Sequence, residues 1–229
     1  MKIVLISQNV SPGLLIFRSD FIKYLVKQGH EVYAFALDYT NETKAAVAEL
    51  GAISVEYSLN KTGVNPIQDL KDTWSLSRKL KLIAPDVVFS FFVKPSIYGT
   101  LAARLAGVPR RIAMLEGLGY IHTATKDGVS FKKRILQLIH GTLSSVGYFF
   151  ADKVLFLNPD DLVDLSKKSL LKQDKLQVIG PIGLDLDLYP YSSVDLTKPI
   201  RFIFIARLLA EKGIFEYLAA ARLVKKKYP

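Results

Sequence analysis

The chain has 229 residues, 50% of them hydrophobic and 23% charged, which is enough apolar material for a sizeable core and excludes disorder as its main state. It has no cysteine, so a disulfide scaffold, a thiolate zinc site and a cysteine nucleophile are excluded, and His30, His122 and His140 are too scattered for a histidine metal cluster. The balance of 31 Lys+Arg against 21 Asp+Glu, formally +10, points to an anionic partner (nucleic acid, an acidic membrane surface or a phosphorylated ligand) or reflects a basic proteome average.

The opening run Met1–Ile6 is too short for a signal peptide, and no charge-free stretch of about 18 apolar residues predicts a transmembrane helix. Lys2–Ser7 reads as a fully buried parallel strand. Ser11-Pro12-Gly13 breaks the chain, and Phe17, Phe21, Ile22, Leu25 and Val26 follow at helical spacing up to Gly29, placed as a C′ glycine. Glu31–Leu37 is a strand. Asn41 is positioned to cap a helix through Leu50, closed by Gly51, and Ala52–Tyr57 is a third strand. A helix over Pro66–Leu82 is stopped by Pro85. A strand follows at Asp86–Phe92, then a helix at Ser96–Ala106, a strand at Arg111–Leu115 and a long helix at Ser130–Phe150. Lys153–Leu157, Pro159–Lys168 and Leu176–Ile179 continue as strand, helix, strand. This alternation predicts an α/β fold: a Rossmann-like doubly wound parallel sheet over residues 1–180.

Residues 181–199, with Pro181, Pro190, Pro199 and no convincing period, read as a linker. Ile200–Ala206 reads as a new strand and Lys212–Lys227 as a new helix. A lone β-α unit leaves its strand edges unpaired. Residues 200–229 are therefore expected to dock on the first domain, to pair with another copy in a homo-oligomer, or to be poorly ordered.

Two features together carry a family resemblance. One is the opening strand, glycine-containing turn and helix leading to Gly29-His30-Glu31-Val32. The other is Ile205-Ala206-Arg207-Leu208-Leu209-Ala210-Glu211-Lys212-Gly213. They resemble the family 4 glycosyltransferases of the GT-B fold, in which two Rossmann-like domains face each other. Leu59–Pro66 and Glu116-Gly117-Leu118-Gly119-Tyr120 resemble a bacterial group that adds hexoses or N-acetylhexosamines to lipid-linked glycans for capsule, O-antigen or glycoprotein. The resemblance implies that residues 1–180 are the acceptor-binding domain and 200–229 the first unit of an incomplete donor domain. It also implies an enzyme, a hexosyl or N-acetylhexosaminyl transferase with a retaining mechanism and no cofactor or metal, and a UDP-sugar as donor substrate. Its acceptor would be a polyprenyl-diphosphate-linked glycan, at the inner face of the cytoplasmic membrane. Two Rossmann halves need roughly 300–400 residues, so this chain alone is expected to bind UDP-sugar weakly and transfer little. The alternative is a catalytically incompetent acceptor-binding or interaction fragment of such an enzyme. Nucleic-acid binding rests on charge alone, with no helix-turn-helix, zinc ligand set or ribonucleoprotein motif behind it.

The candidate site residues follow. By resemblance, Arg207 and Lys212 contact the donor diphosphate, where they would stabilise a doubly charged leaving group; otherwise they are surface cations at a strand end. Gly13 either lets backbone approach the reaction centre or simply turns the chain from strand to helix. Lys94, after Phe89–Val93, is placed to pair with a phosphate or stands as a solvent-facing lysine. Glu116 is placed to bind an acceptor hydroxyl or assist its deprotonation, with Gly117 and Gly119 allowing close backbone approach and His122 close behind on the same loop; otherwise this is a glycine-supported turn with a solvated glutamate and a structural histidine. Lys132, Lys133 and Arg134, with an apolar stripe from Phe131 to Phe150, form either a basic membrane-facing helix or a core helix with one charged turn.

Overall fold

The computed structural model describes residues 1–60, 65–117, 141–166, 171–183, 185–187, 189–193, 200–208 and 210–228. Among the described residues seven strands, all parallel, are β1 Lys2–Ile6, β2 Glu31–Ala36, β3 Ile53–Glu56, β4 Val87–Phe91, β5 Arg110–Leu115, β6 Lys153–Phe156 and β7 Leu176–Val178, in the order β3-β2-β1-β4-β5-β6-β7. Helices α1 Ser19–Lys27, α2 Asn41–Glu49, α3 Pro66–Ile83, α4 Val93–Leu105, α5 over residues 141–149 and α6 Pro159–Ser166 connect them. The described residues up to Ile182 make one unit and those from Gly183 onward another.

Side chains alternate across a strand, and β1 divides accordingly between two cores. Val4 and Ile6 join Leu76 and Leu80 of α3, Ile97 and Ala102 of α4 and Tyr148 of α5 on one face. Ile3 and Leu5 join Ile22 and Leu25 of α1 and Val47 of α2 on the other. Both faces are covered, which is why the strands read as continuous apolar runs rather than alternating ones. The chain winds outward from β1 to β3, then returns to place β4 beside β1, with Ile3 opposite Val87 and Ile6 opposite Ser90. That reversal puts a topological switch point between β1 and β4.

Helix ends differ from expectation, most plainly at α2, α4 and α3. α2 is capped by Thr40 rather than Asn41: the Thr40 hydroxyl accepts from Thr43 N at 3.3 Å, and the Thr43 hydroxyl accepts from Thr40 N at 2.8 Å. This reciprocal pair satisfies two amides that a cap at Asn41 would leave open. α4 starts at Val93, not Ser96, because Pro95 sits in the first turn, where its missing N–H costs no helical bond. α3 runs through Pro66–Ile83 and stops at Ala84, at φ 50°.

The expected strand at Ile200–Ala206 is not formed as a strand. Between Val178 and the end of the described residues there is no strand for it to pair with, and an unladdered strand leaves its amides and carbonyls without partners. The helix after it does form, as α7 Ile214–Lys227 behind a short 3-10 turn Ala210–Lys212. Phe204 and Tyr217 stack at 5.1 Å between centroids, and the Tyr217 hydroxyl donates to Phe202 O. The predicted helix over 130–150 is described only over 141–149. There Tyr148 and Ser144 are buried, whereas Val146 and Phe149 of the expected stripe are exposed.

Candidate functional site

Open parallel sheets bind ligands at the carboxyl ends of their strands, beside the switch point. Here that edge is built by the loop after β1, the exit of β4 into α4 and the exit of β5. The loop after β1 folds on itself. Ser7 Oγ donates to Asn9 O at 2.9 Å, Gly13 N donates to Asn9 Oδ1 at 2.9 Å, and Val10 N donates to Asp38 Oδ1 at 2.8 Å. A Cβ on Gly13 would lie 2.3 Å from Ser7 Oγ and 2.6 Å from Asn9 O. The close approach that Gly13 permits is therefore to its own loop, which fixes the path of the chain toward α1.

That path ends at Arg18, whose side chain was not singled out from the sequence. Its guanidinium forms a salt bridge with Glu116, at side-chain exposures of 6% and 8%. The same group donates to Phe17 O at 2.8 Å and lies 4.4 Å from the centroid of the Phe91 ring. Arg18 thus ties the first connection to the ends of β4 and β5. Burial pushes the Glu116 carboxyl above its usual range, and Arg18 beside it pulls the other way. Burial likewise lowers Arg18, against the pull of Glu116. A carboxylate held this way is oriented and screened from solvent. The one signal for it was an arginine directly after the apolar run Leu14–Phe17. Gly117, next along, has φ 120° and no atom within 4 Å of where a Cβ would stand; that φ is one only glycine adopts without strain.

Phe92 leaves β4 at φ 68° and ψ 166° and serves as N-cap of α4 without a side-chain cap. A non-glycine in that region costs on the order of 1–3 kcal/mol, and such strain clusters at functional edges. It turns the chain directly into α4, whose N-terminus brings its partial positive charge to the sheet's carboxyl edge. Lys94, in that first turn, is held within the unit. Its ammonium donates to Asp69 Oδ1 at 3.0 Å and to Asn60 O at 2.8 Å, and lies 5.6 Å from the Tyr98 ring centroid. The Tyr98 hydroxyl donates to Asp69 Oδ2 at 3.0 Å. Burial and that carboxylate raise the phenol well above its ordinary value.

Beside this network, at the carboxyl ends of β2 and β3, a pocket of about 410 Å³ is lined by Leu37, Tyr57, Leu59, Asn60, Gln68 and Asp72, among others. Its volume is within the range of ligand pockets, roughly 300–1,000 Å³. Asp72 accepts from both Ser58 Oγ and Gln68 Nε2 at 2.9 Å, which sets a polar floor beneath an aromatic and aliphatic wall.

In the second unit, Arg207 and Lys212 are both exposed and lie on the segment leading into α7. Gly119, His122, Lys132, Lys133 and Arg134 lie outside the described residues. Among the described residues no group of three His, Asp or Glu is placed to hold a metal ion.

The strand order and the switch-point edge define a doubly wound α/β protein of the Rossmann-like class. A family model described as glycosyl transferase 4-like matches residues 2–155, and the chain belongs to that family. It is 27% identical over 223 residues to the N,N'-diacetylbacillosaminyl-diphospho-undecaprenol alpha-1,3-N-acetylgalactosaminyltransferase of Campylobacter jejuni, covering 92% of this chain and 57% of that enzyme. It is 26% identical to the Escherichia coli UDP-Gal:alpha-D-GlcNAc-diphosphoundecaprenol alpha-1,3-galactosyltransferase over 171 residues, covering 70% and 42%. The chain spans about half the length of these relatives. Among solved structures, Anabaena HepE in complex with UDP and glucose superposes with a TM-score of 0.59 at 14% identity, over 84% of this chain and 47% of that one. MurG of Acinetobacter baumannii gives 0.51 at 18%, over 96% and 54%. These likenesses are to the fold, that of GT-B glycosyltransferases.

Proposed function

We propose that the protein is a glycosyltransferase. It moves a hexose or N-acetylhexosamine from a UDP-sugar to a polyprenyl-diphosphate-linked glycan, with retention of configuration and with the unit up to Ile182 on the acceptor side. The observation that carries this reading is the match, over 92% of the chain, to a transferase whose name gives a diphospho-undecaprenol-linked acceptor. In this reading Glu116, oriented by Arg18, faces the attacking hydroxyl of the acceptor, and the uncapped N-terminus of α4 lies toward the acceptor's charged groups. Arg207 and Lys212 hold the donor diphosphate. The net charge of +10 suits both diphosphates and an anionic membrane surface, and the work is done at the inner face of the cytoplasmic membrane. No helix among the described residues is long and apolar enough to cross it.

The test offers the purified protein an undecaprenyl-diphosphate-linked glycan with labelled UDP-N-acetylgalactosamine, UDP-galactose or UDP-glucose, and measures acceptor binding and sugar transfer separately. Transfer from any of the three supports the reading. Acceptor binding with little or no transfer is the outcome expected of these 229 residues, which span about half the length of the relatives, and supports the acceptor-side assignment. Neither binding nor transfer overturns both.

A further inference from the structure

The pocket at the carboxyl ends of β2 and β3 contains a buried carboxylate that its neighbours only half satisfy. α3 turns Asp69, Asp72 and Thr73 inward and leaves Ile67, Leu70 and Trp74 exposed. Asp69 is fully engaged, one oxygen accepting from Lys94 and the other from Tyr98. Asp72 is not, although it is 5% exposed. Ser58 Oγ and Gln68 Nε2 both donate to its Oδ1, and no described residue donates to Oδ2. A buried carboxylate is costly unless its lone pairs are met, and it accommodates about four donors. The rest of the lining decides what can meet it. Ser58 and Gln68 give donors to Asp72, so each keeps an oxygen as an acceptor. Leu37, Tyr57 and Leu59 supply an apolar wall, and the Tyr57 hydroxyl is committed to Ser7 O at 2.9 Å. Asp72 is the only charged residue among the described residues of the lining.

We propose that this pocket is a second ligand site and takes a neutral sugar ring. Asp72 repels an anion, so the phosphates that a chain of charge +10 attracts do not belong here. A sugar brings what the lining lacks: one hydroxyl donates to Asp72 Oδ2, and others donate to the Ser58 and Gln68 oxygens. Its C–H face lies on the wall of Leu37 and Leu59, the usual division of a pocket into apolar walls and a few placed polar groups. An ammonium would meet Asp72 and leave that wall unused. The pocket also stands apart from Glu116. Three strand steps separate β2 from β5, and at about 4.8 Å each they set the two places roughly 14 Å apart. One ring cannot occupy both. The ring in the pocket is therefore either a further sugar of the acceptor glycan, beyond the one that reacts, or a free sugar. Only the first of these sources rests on the function proposed above; the chemistry of the pocket does not.

Saturation-transfer NMR on the 229-residue protein tests the site, with the methyl glycosides of galactose, glucose and N-acetylgalactosamine as probes. At least one glycoside should be saturated by the protein, undiminished by excess UDP or inorganic pyrophosphate. Asp72→Asn keeps the shape and removes the charge, and should weaken binding roughly 10–100-fold, the loss that follows when a hydrogen bond to a charged acceptor goes. Gln68→Trp, at an exposed helix position, fills the space and should abolish binding even where Asp72→Asn fails to fold. Competition then identifies the source. Displacement of the glycoside by short-prenyl diphosphate-linked di- and trisaccharides, and not by the single-sugar form, assigns the ring to the acceptor glycan; displacement by none of them assigns it to a free sugar. Displacement by the single-sugar form as well places the ring at the reacting position and overturns the second site. So does the absence of saturation in every glycoside, saturation that both variants leave unchanged, or saturation that UDP or pyrophosphate removes. Binding of ethanolamine in place of the glycosides overturns it in favour of an amine. Sugar transfer to the lipid-linked acceptor with no glycoside bound at Asp72 defeats the pocket and leaves the transferase. A glycoside bound at Asp72 with neither acceptor binding nor sugar transfer defeats the transferase and leaves the pocket.

Discussion

Arg18 and Glu116 stand 98 positions apart in the chain and meet under the edge of the sheet. Glu116 was legible beforehand because a carboxylate at the exit of a strand is where ligands bind. Arg18 was not, because its partner is chosen by the parallel register of β1, β4 and β5 and not by local spacing. The pair dictates a pH-dependent stability. Burial raises the Glu116 carboxyl, so the folded chain keeps that proton to higher pH than the unfolded chain does. In that window the folded state binds more protons, and this contribution to stability is present at low pH and falls as pH rises. Arg18 narrows the window by favouring the charged form. Arg18→Met removes that restraint and leaves a buried carboxylate alone, at a cost of about 3–5 kcal/mol near neutral pH. The cost should shrink as pH is lowered from 7.5 toward 5, because a protonated Glu116 needs no counter-ion. Adding Glu116→Leu should recover most of the loss, since an apolar replacement of both partners is often close to neutral. Urea denaturation of both variants at the two pH values checks this. A cost that is the same at both refutes the account.

At the scale of elements, β1 to β7 and most helices could be read from apolar runs, glycines and prolines, because those signals are local. What could not be read is which way a helix faces. The period of α3 is the same whether Ile67, Leu70 and Trp74 point in or out, and only the contacts of Asp69 settle it. Asp69 is 1% exposed and receives both Lys94 and Tyr98 from α4. It is the polar pin between these two packed helices. Asp69→Ala removes the buried carboxylate that accepts from both Lys94 and Tyr98 and should cost about 3 kcal/mol. Tyr98→Phe removes one hydrogen bond to a charged group and should cost about 1.5 kcal/mol. Urea midpoints of the two variants test the order. Tyr98→Phe proving the more harmful would mean that the ring's packing, not the Asp69 network, joins the helices. The same dependence on partners explains Ile200–Ala206, whose β-branched and aromatic run satisfies every local rule for a strand and still has no ladder among the described residues.

For the whole molecule, the distribution of buried residues makes a firm demand. Both hydrophobic cores draw their buried members from residues up to Leu165, with Ile182 the last apolar residue packed against either of them. No described residue after Ile182 is buried, and α7 buries none of its side chains. Folding free energy at this scale comes chiefly from apolar area removed from water, about 25 cal/mol per Å². The described residues from Gly183 onward therefore add little of it, whereas ordering them costs backbone entropy of roughly 1–2 kcal/mol per residue. A polypeptide ending at Ile182 should thus unfold in one cooperative transition, as small single domains usually do, with a urea midpoint near that of the 229-residue chain. Its m-value should be the same within error, because the surface exposed on unfolding is nearly all in the first unit. Equilibrium urea titrations followed by far-UV circular dichroism decide the matter. A broad or absent transition in the shorter chain would show that the first unit depends on the second for its core, and would refute the division at Ile182.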